Sequence, residues 1–248
     1  MNVSKAVLPG VVLLSLLQWS NSIQASTVSI HPTADTTLQE AFPNNNLGDG
    51  TSFTAGGRRQ GGRTRALLLF DIAGNIPAGS IVNSVSLTLN CIQAPSGGVN
   101  STFDLDRLLA SWGEGNGSDH GGSTAGPGQA TWNNRFGSAG SPWSTSGGDF
   151  SPTASASRSV AGFGSYAFAS TAGLVADVQA WLNSPANDFG WLLRSESELT
   201  GTSIRRFGSR DSGASAPTLT ISYTPIPEPA ILSILGLGLA VVVWRSRK

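Results

Sequence analysis

Asp104 and Asp106 stand two residues apart in a stretch where polar and apolar residues alternate. Alternation places both carboxylates on one face of a strand, about 6.8 Å apart. That distance suits paired-carboxylate sugar hydrolysis, and the same oxygens suit a calcium ion, for which Asp35 and Asp71 are further candidates. Alternating charge also describes a solvated strand face, and we favour that interpretation over calcium and over catalysis. For Asp35 and Asp71 the alternative is a turn cap or an arginine partner.

The two histidines lie outside any recognised catalytic motif. His31 precedes Pro32, and His120 lies in the glycine-rich segment 117–121. The sequence contains neither the G-x-S-x-G nucleophile elbow nor the H-E-x-x-H zinc motif. We therefore predict a protein without catalytic residues or cofactors, with structural calcium at Asp104 and Asp106 as the one metal hypothesis. The alternative is a polysaccharide lyase or glycosidase whose loop site the sequence does not identify.

Tryptophan rings are the best side chains for stacking against the C–H face of a sugar. Trp143 has no periodic apolar partner, so we predict that it is an exposed platform for a glycan. Trp112 and Trp132 are further glycan candidates, and their alternative role is to close one end of the fold. Trp181 and Trp191 occupy apolar positions of a predicted helix and strand, which places them in the core.

Arginines form two clusters along the chain. A guanidinium group binds a carboxylate through two parallel hydrogen bonds, so an acidic polysaccharide is a suitable ligand. We assign Arg58 and Arg59 as glycan-binding candidates on this ground. The alternative is that each cluster lies at a solvated hairpin end and pairs with local acids. The clusters are Arg58, Arg59, Arg63 and Arg65, and then Arg205, Arg206 and Arg210.

Charge and cysteine content exclude a nucleic-acid partner and an intramolecular disulfide. Eleven arginines and fourteen acidic side chains give residues 26–224 a formal charge of −3, which excludes nucleic acid as a partner. The single cysteine, Cys91, excludes an intramolecular disulfide. It continues the alternation of Leu87 and Leu89, which predicts a small buried side chain.

Short strands between turn-rich loops dominate the middle of the chain. The segment 66–70 is apolar on both faces, which predicts a central strand. Apolar positions from Leu174 to Leu182 follow helical spacing, with Thr171 as the N-cap and Pro185 as the stop. The glycine- and serine-rich segment 111–165 predicts long loops around one brief strand near 130–132. The predicted strands are 28–30, 52–54, 66–70, 85–89, 103–107, 189–193 and 219–223.

Both ends of the chain read as processing segments. Lys5, an apolar run over 6–17 and the small residue Ala25 predict a signal peptide. At the other end, an apolar run over 230–244 is followed by a basic cap. About 15 residues of helix span about 22 Å, which is shorter than the hydrocarbon core of about 30 Å and favours temporary anchoring.

The tail from Pro225 to Lys248 resembles the PEP-CTERM sorting signal of exported bacterial proteins. This resemblance implies recognition by an exosortase, removal of the tail and delivery to the cell surface or the extracellular polysaccharide matrix. The alternative is an ordinary single-span tail anchor. The residues that carry the sorting motif are Pro227, Glu228, Pro229, Arg245, Arg247 and Lys248.

Eight segments in order along the middle of the chain, from 34–37 to 190–195, together resemble the DNRLRE domain. The resemblance implies a jelly-roll-like β-sandwich of surface proteins, some of whose relatives are carbohydrate-binding modules attached to polysaccharide lyases. This chain departs from those enzymes because it has no partner catalytic domain and carries a longer insertion between Trp112 and Tyr166. Its matching segments, in order, are 34–37, 46–48, 65–72, 76–79, 111–115, 130–134, 178–182 and 190–195.

These features predict three parts: a signal peptide over 1–25, a DNRLRE-like domain over 26–224 and a sorting signal over 225–248. The expected fold is an all-β, jelly-roll-like β-sandwich with one short helix, flanked by the signal peptide and a single C-terminal hydrophobic helix. The expected function is that of a non-catalytic surface or extracellular-matrix protein that associates with exopolysaccharide. Its expected partners are an exosortase, the secretion machinery and, transiently, the inner membrane.

Overall fold

The computed structural model describes residues 24–118, 121–137 and 140–226. His120, the sorting residues from Pro227 onward and nearly all of the predicted signal peptide lie outside these ranges. The described part is 42% strand and 9% helix, which confirms the all-β class with one α-helix. Within these ranges, no helix combines the length and the hydrophobicity that crossing a membrane requires.

All seven predicted strand segments overlap observed strands. The α-helix, α1, is Ala172–Asn183, and short 3-10 turns lie at Pro185–Asn187 and Gly213–Ser215. The strands are β1 (Ser26–Ile30), β2 (Ala34–Gln39), β3 (Asn45–Asn46), β4 (Ser52–Gly57), β5 (Arg63–Leu69), β6 (Ile81–Gln93), β7 (Ser101–Leu108), β8 (Ser123–Thr124), β9 (Phe150–Val160), β10 (Gly164–Phe168), β11 (Trp191–Ser195), β12 (Arg205–Gly208) and β13 (Thr218–Thr224).

Eleven strands form one curled antiparallel sheet in the order β1-β13-β6-β12-β4-β5-β11-β7-β9, with β10 added to β6 and β2 added to β5. β3 and β8 form a separate two-stranded antiparallel sheet. The two halves of the curled sheet face each other across the main core. The ring of Phe103 on β7 meets that of Phe207 on β12 edge-on, at 5.6 Å between centroids. Cys91 is buried in this core, as its alternation with leucine predicts.

A second apolar cluster lies on the other face of β5. Leu38, Leu67 and Leu192 point away from the main core and pack beneath Trp112, Trp132 and Trp143. The glycine-rich insertion therefore forms a covering layer over the sheet, which explains why β5 is apolar on both faces. Glycine is required where this layer approaches closely: Gly148 has a φ of 109°, and a β carbon there would lie 2.6 Å from Leu192 Cδ1.

The prediction of long loops is confirmed for the described residues of 111–149, apart from the two-residue strand β8, and is wrong beyond residue 149. No strand forms at 130–132, where Trp132 instead packs in the second cluster. The eleven-residue strand β9 lies inside the segment that was expected to be loop. Only Ala156 and Val160 of β9 contribute to the main core, so its Ser- and Ala-rich sequence lacks a clear apolar alternation.

The predicted helix is confirmed, including its N-cap. The Thr171 hydroxyl accepts a hydrogen bond from the Leu174 amide at 3.1 Å, and such a cap contributes about 1 kcal/mol. Leu174, Val178 and Trp181 pack into the main core. The Trp181 and Trp191 rings meet at 4.6 Å, which confirms both as core residues.

Candidate functional site

The three candidate tryptophan platforms are buried. Trp143 and Trp132 are each 4% exposed and Trp112 is 8% exposed, so the prediction that Trp143 is an exposed platform is wrong. The indole N–H of Trp143 donates to the Thr131 carbonyl, and that of Trp112 donates to the Phe189 carbonyl, both at 2.9 Å. Their rings cover the outer face of the sheet and offer no free face to a sugar.

Arg63 and Arg65 lie against the Trp132 ring and pair with local acids. Each guanidinium carbon is 5.1 Å from the ring centroid. Arg63 binds both oxygens of Glu40, at 3.0 and 2.7 Å. Arg65 binds both oxygens of Glu198 and the Gly147 carbonyl. For these two arginines the alternative of pairing with local acids is confirmed.

Arg58 and Arg206 have no carboxylate partner among the described residues. Arg58 donates to the Gln39 side-chain oxygen at 2.9 Å and lies 5.3 Å from the Phe42 ring centroid. Arg206 points away from the core on β12, opposite Thr54 of β4. Arg59 is exposed and donates only to the Ser96 carbonyl, at 3.2 Å.

Both Arg58 and Arg206 line one groove, here called the arginine groove, with a volume of about 360 Å³. This volume is within the range of about 300–1,000 Å³ that is typical of small-ligand sites. Leu47 and Ile204 add apolar surface. The polar lining is supplied by Thr37, Gln39, Thr51, Ser52, Thr54 and Thr64, and no acidic side chain contributes to it.

A larger groove of about 640 Å³ lies beside the insertion and is called here the Phe150 groove. Its cations are Arg63 and Arg65, which Glu40 and Glu198 already neutralise, together with Arg135. Its one acid, Asp149, accepts hydrogen bonds from the amides of residues 144 and 145. The arginine groove therefore provides two cations without a carboxylate partner and the Phe150 groove only one, whose charge is offset by that of Asp149.

Asp104 and Asp106 are buried, so the prediction of a solvated strand face is wrong. Arg194 on the neighbouring strand β11 lies between them, 3.0 Å from Asp104 Oδ2 and 2.7 Å from Asp106 Oδ2. The Ser157 hydroxyl donates to Asp104 at 2.6 Å. Burial raises the pKa of Asp106, against the lowering effect of Arg194.

The guanidinium group of Arg194 occupies the position that a cation would take between the two carboxylates. Across the ranges that the structure describes, no group of three or more His, Cys, Asp or Glu side chains is arranged to hold a metal ion.

Asp71 and Asp35 both accept hydrogen bonds from backbone amides. Asp71 Oδ1 accepts from the Gly74 amide at 2.8 Å, and Asp35 Oδ2 accepts from the Arg210 amide at 2.7 Å. Burial raises the pKa of Asp35 to about 7, and the nearby Glu114 carboxylate adds to the rise. The turn-cap alternative is confirmed for Asp71, whereas Asp35 binds the backbone amide of a distant arginine.

His31 and two arginines of the second cluster contact groups of the protein itself. His31 Nδ1 lies 2.8 Å from the Pro217 carbonyl. In the second arginine cluster, Arg210 pairs with Glu114 at 2.7 Å, whereas Arg205 is buried and binds only backbone carbonyls. An exposed aromatic ring that the tryptophan argument missed is Phe163, which is 82% exposed between β9 and β10. The glycines on either side of Phe163 indicate a turn and are the sequence signal that could have predicted its exposure.

Comparison with known proteins identifies the tail and leaves the body unassigned. A family model described as the PEP-CTERM protein-sorting motif matches residues 225–248. No curated protein matches the chain. The matched motif implies export, a membrane-anchored sorting signal, processing by an exosortase and delivery to the surface.

Proposed function

We propose that this chain is a non-catalytic surface or extracellular-matrix protein whose β body associates with an acidic exopolysaccharide through the arginine groove. The sorting motif at 225–248 supplies the export route. We include in the proposal a body of the DNRLRE type with a jelly-roll-like sandwich. Its support is the order of the matching segments along the sequence and the two facing halves of the antiparallel sheet.

The observation that carries the proposal is a pair of guanidinium groups in one groove, neither of which has a carboxylate partner among the described residues. Arg58 and Arg206 face a lining of hydroxyl and amide groups without an acidic side chain. A uronate carboxylate can accept two hydrogen bonds from one guanidinium group, while the hydroxyls match those of a sugar ring. Leu47 and Ile204 provide apolar contact for the C–H face of the ring.

Several observations favour binding over cleavage. Hydrolysis by paired carboxylates needs two acids that flank the bond, about 5 to 10 Å apart. The arginine groove has no acid, and the Phe150 groove has only Asp149, whose oxygens cap backbone amides. Asp104 and Asp106 are buried against Arg194. These placements support a non-enzymatic role for the body.

Affinity electrophoresis in gels that contain a polyuronate tests the assignment. Changing Arg58 and Arg206 together to glutamine is expected to abolish most of the retardation seen for the unmodified protein. The effect should shrink as ionic strength rises, because salt screens exposed charges beyond about 10 Å at 0.1 M. A neutral glucan gel is the control for general polysaccharide affinity.

Two single variants separate the groove from general charge effects. Arg158→Gln removes one exposed cation that lines neither groove, and should leave retardation unchanged. Arg135→Gln tests the Phe150 groove and should also have little effect. The proposal is wrong if the Arg58 and Arg206 double variant is retarded as strongly as the unmodified protein.

A further inference from the structure

Both ends of the described chain leave the sheet at the same place. Ser26 at the start of β1 pairs with Tyr223 near the end of β13. Thr224, the last residue of β13, pairs with Ile81, the first residue of β6. We call the surface around Ser26, Ile81 and Thr224 the terminal end. The arginine groove lies toward the opposite end, because Arg206 pairs with Gln93 at the far end of β6.

The sorting tail leaves little distance between the terminal end and a membrane. Only five residues, 225–229, separate Thr224 from the apolar run that begins at Ala230. Six residue steps reach at most about 20 Å even when fully extended. The headgroup layer takes up about 5–8 Å of that length on each side of the hydrocarbon. The terminal end must therefore lie within about 15 Å of the headgroup layer while the tail is inserted.

The surface of the terminal end is partly apolar, and its segments carry no charged side chain. Ile81 is 55% exposed and Ile226 is 57% exposed. The segments 24–30, 72–83, 178–187 and 218–226 contain no acidic or basic residue, and the acids that border them include Asp71, which caps the Gly74 amide, and Asp188. An uncharged surface has no ionic groups to dehydrate at the interface, where burying an unpaired charge is costly. Without cations, it also has no electrostatic preference for anionic lipid.

We propose that, while the sorting tail is inserted, the body rests on the lipid headgroup layer through its terminal end, with Ile81 and Ile226 in contact with the interface. A zwitterionic lipid surface is the partner that this end fits. The twelve residue steps of β6 then place Gln93 roughly 40 Å farther out, at about 3.3 Å per residue. The arginine groove faces away from the membrane, and the sorting tripeptide is presented directly beneath the folded body.

Fluorescence quenching by headgroup-labelled nitroxide lipid tests this orientation. The full chain, with Cys91→Ala to remove the buried native thiol, is placed in phosphatidylcholine vesicles. A bimane label is attached through Ala78→Cys at the terminal end or through Ser96→Cys at the far end, both exposed positions. The proposal predicts at least a several-fold greater quenching at position 78 than at position 96. Equal quenching, stronger quenching at position 96, or failure of the chain to bind vesicles overturns it.

Ile81→Glu, made in the Ala78→Cys protein, tests the contact itself. A carboxylate at position 81 should lift the terminal end from the interface and reduce the quenching at position 78 by at least half. The matched variant Val99→Glu changes an exposed apolar residue at the far end and should leave the quenching unchanged. Unchanged quenching with Ile81→Glu overturns the contact. Retardation of the protein in a polyuronate gel is measured separately. The membrane orientation and the glycan-binding proposal can therefore fail independently of each other.

Discussion

Replacing Arg205 by methionine tests whether one buried guanidinium group holds three loops of the body together. Arg205 is 1% exposed, and within the described residues it has no carboxylate partner. Its Nη1 donates to three carbonyls of its own loop, and its Nη2 donates to Val99, Val160 and Ala161. Burial lowers the pKa of Arg205.

The expected loss follows from the shortest of these contacts. The bonds to Val99 and Ala161 measure 2.6 Å, and the bond to Ile204 measures 2.9 Å. A hydrogen bond to a charged group contributes about 1.5–3 kcal/mol, and removing the donor leaves buried carbonyls unpaired. The desolvation cost of the charge, which also disappears, offsets part of this. We expect Arg205→Met to lower the free energy of unfolding by about 3–5 kcal/mol.

Thermal and urea unfolding of the secreted body, followed by circular dichroism, measure this loss. For a domain of this size, about 4 kcal/mol corresponds to a decrease in Tm of about 10 °C. Arg206→Met is the matched control, because the adjacent side chain points outward and should change stability by less than about 1 kcal/mol. The reasoning is refuted if the free energy of unfolding of Arg205→Met also lies within about 1 kcal/mol of that of the unmodified protein.

Three further predictions concern buried polar groups. Asn46→Ala leaves unpaired the four backbone groups that its side chain binds and should lower the free energy of unfolding by about 2–4 kcal/mol. Limited proteolysis should then cut the insertion faster, and unchanged cleavage would contradict this. Arg194→Met leaves Asp104 and Asp106 without their cation and should cost about 3–5 kcal/mol in urea unfolding, whereas a loss below 1 kcal/mol would indicate an ordinary surface pair. Burial raises the pKa of Asp35 to about 7, so the folded state binds more protons than the unfolded state between about pH 4 and 7. Asp35 alone should lower stability by up to about 4 kcal/mol as pH rises through that window. Burial also raises the pKa of Asp188 to about 7, so Asp35→Asn should make the Tm profile less steep there, and a parallel profile would contradict the assignment.

Much of the strand and helix pattern could be predicted because burial leaves a period in the sequence. The alternation of Leu87, Leu89 and Cys91 on β6 and the helical spacing of α1 are examples. β9 could not be found in this way, because its alternate positions are serine, alanine and threonine. The two apolar faces of β5 predicted a central strand, and the structure shows that the tryptophans of the insertion form the layer over its outer face.

The candidate site was less predictable because it depends on the pairing of strands. The sequence alone predicts that Asp104 and Asp106 are solvated. Only the register of β7 with β11 shows that Arg194 lies between them. Arg206 joins Arg58 in one groove only because β12 pairs with β4. Tryptophans within a glycine-rich segment give no local sign of burial, since the surface that they cover lies far away in the sequence.

Incubation of the secreted body with acidic and neutral glycans tests the proposed function most directly, because retention and new chain ends are scored on the same samples. The account predicts retention on polyuronate that depends on Arg58 and Arg206, with no increase in reducing or unsaturated ends. New ends that appear in proportion to protein concentration, or polyuronate retention that survives loss of both arginines, would contradict it.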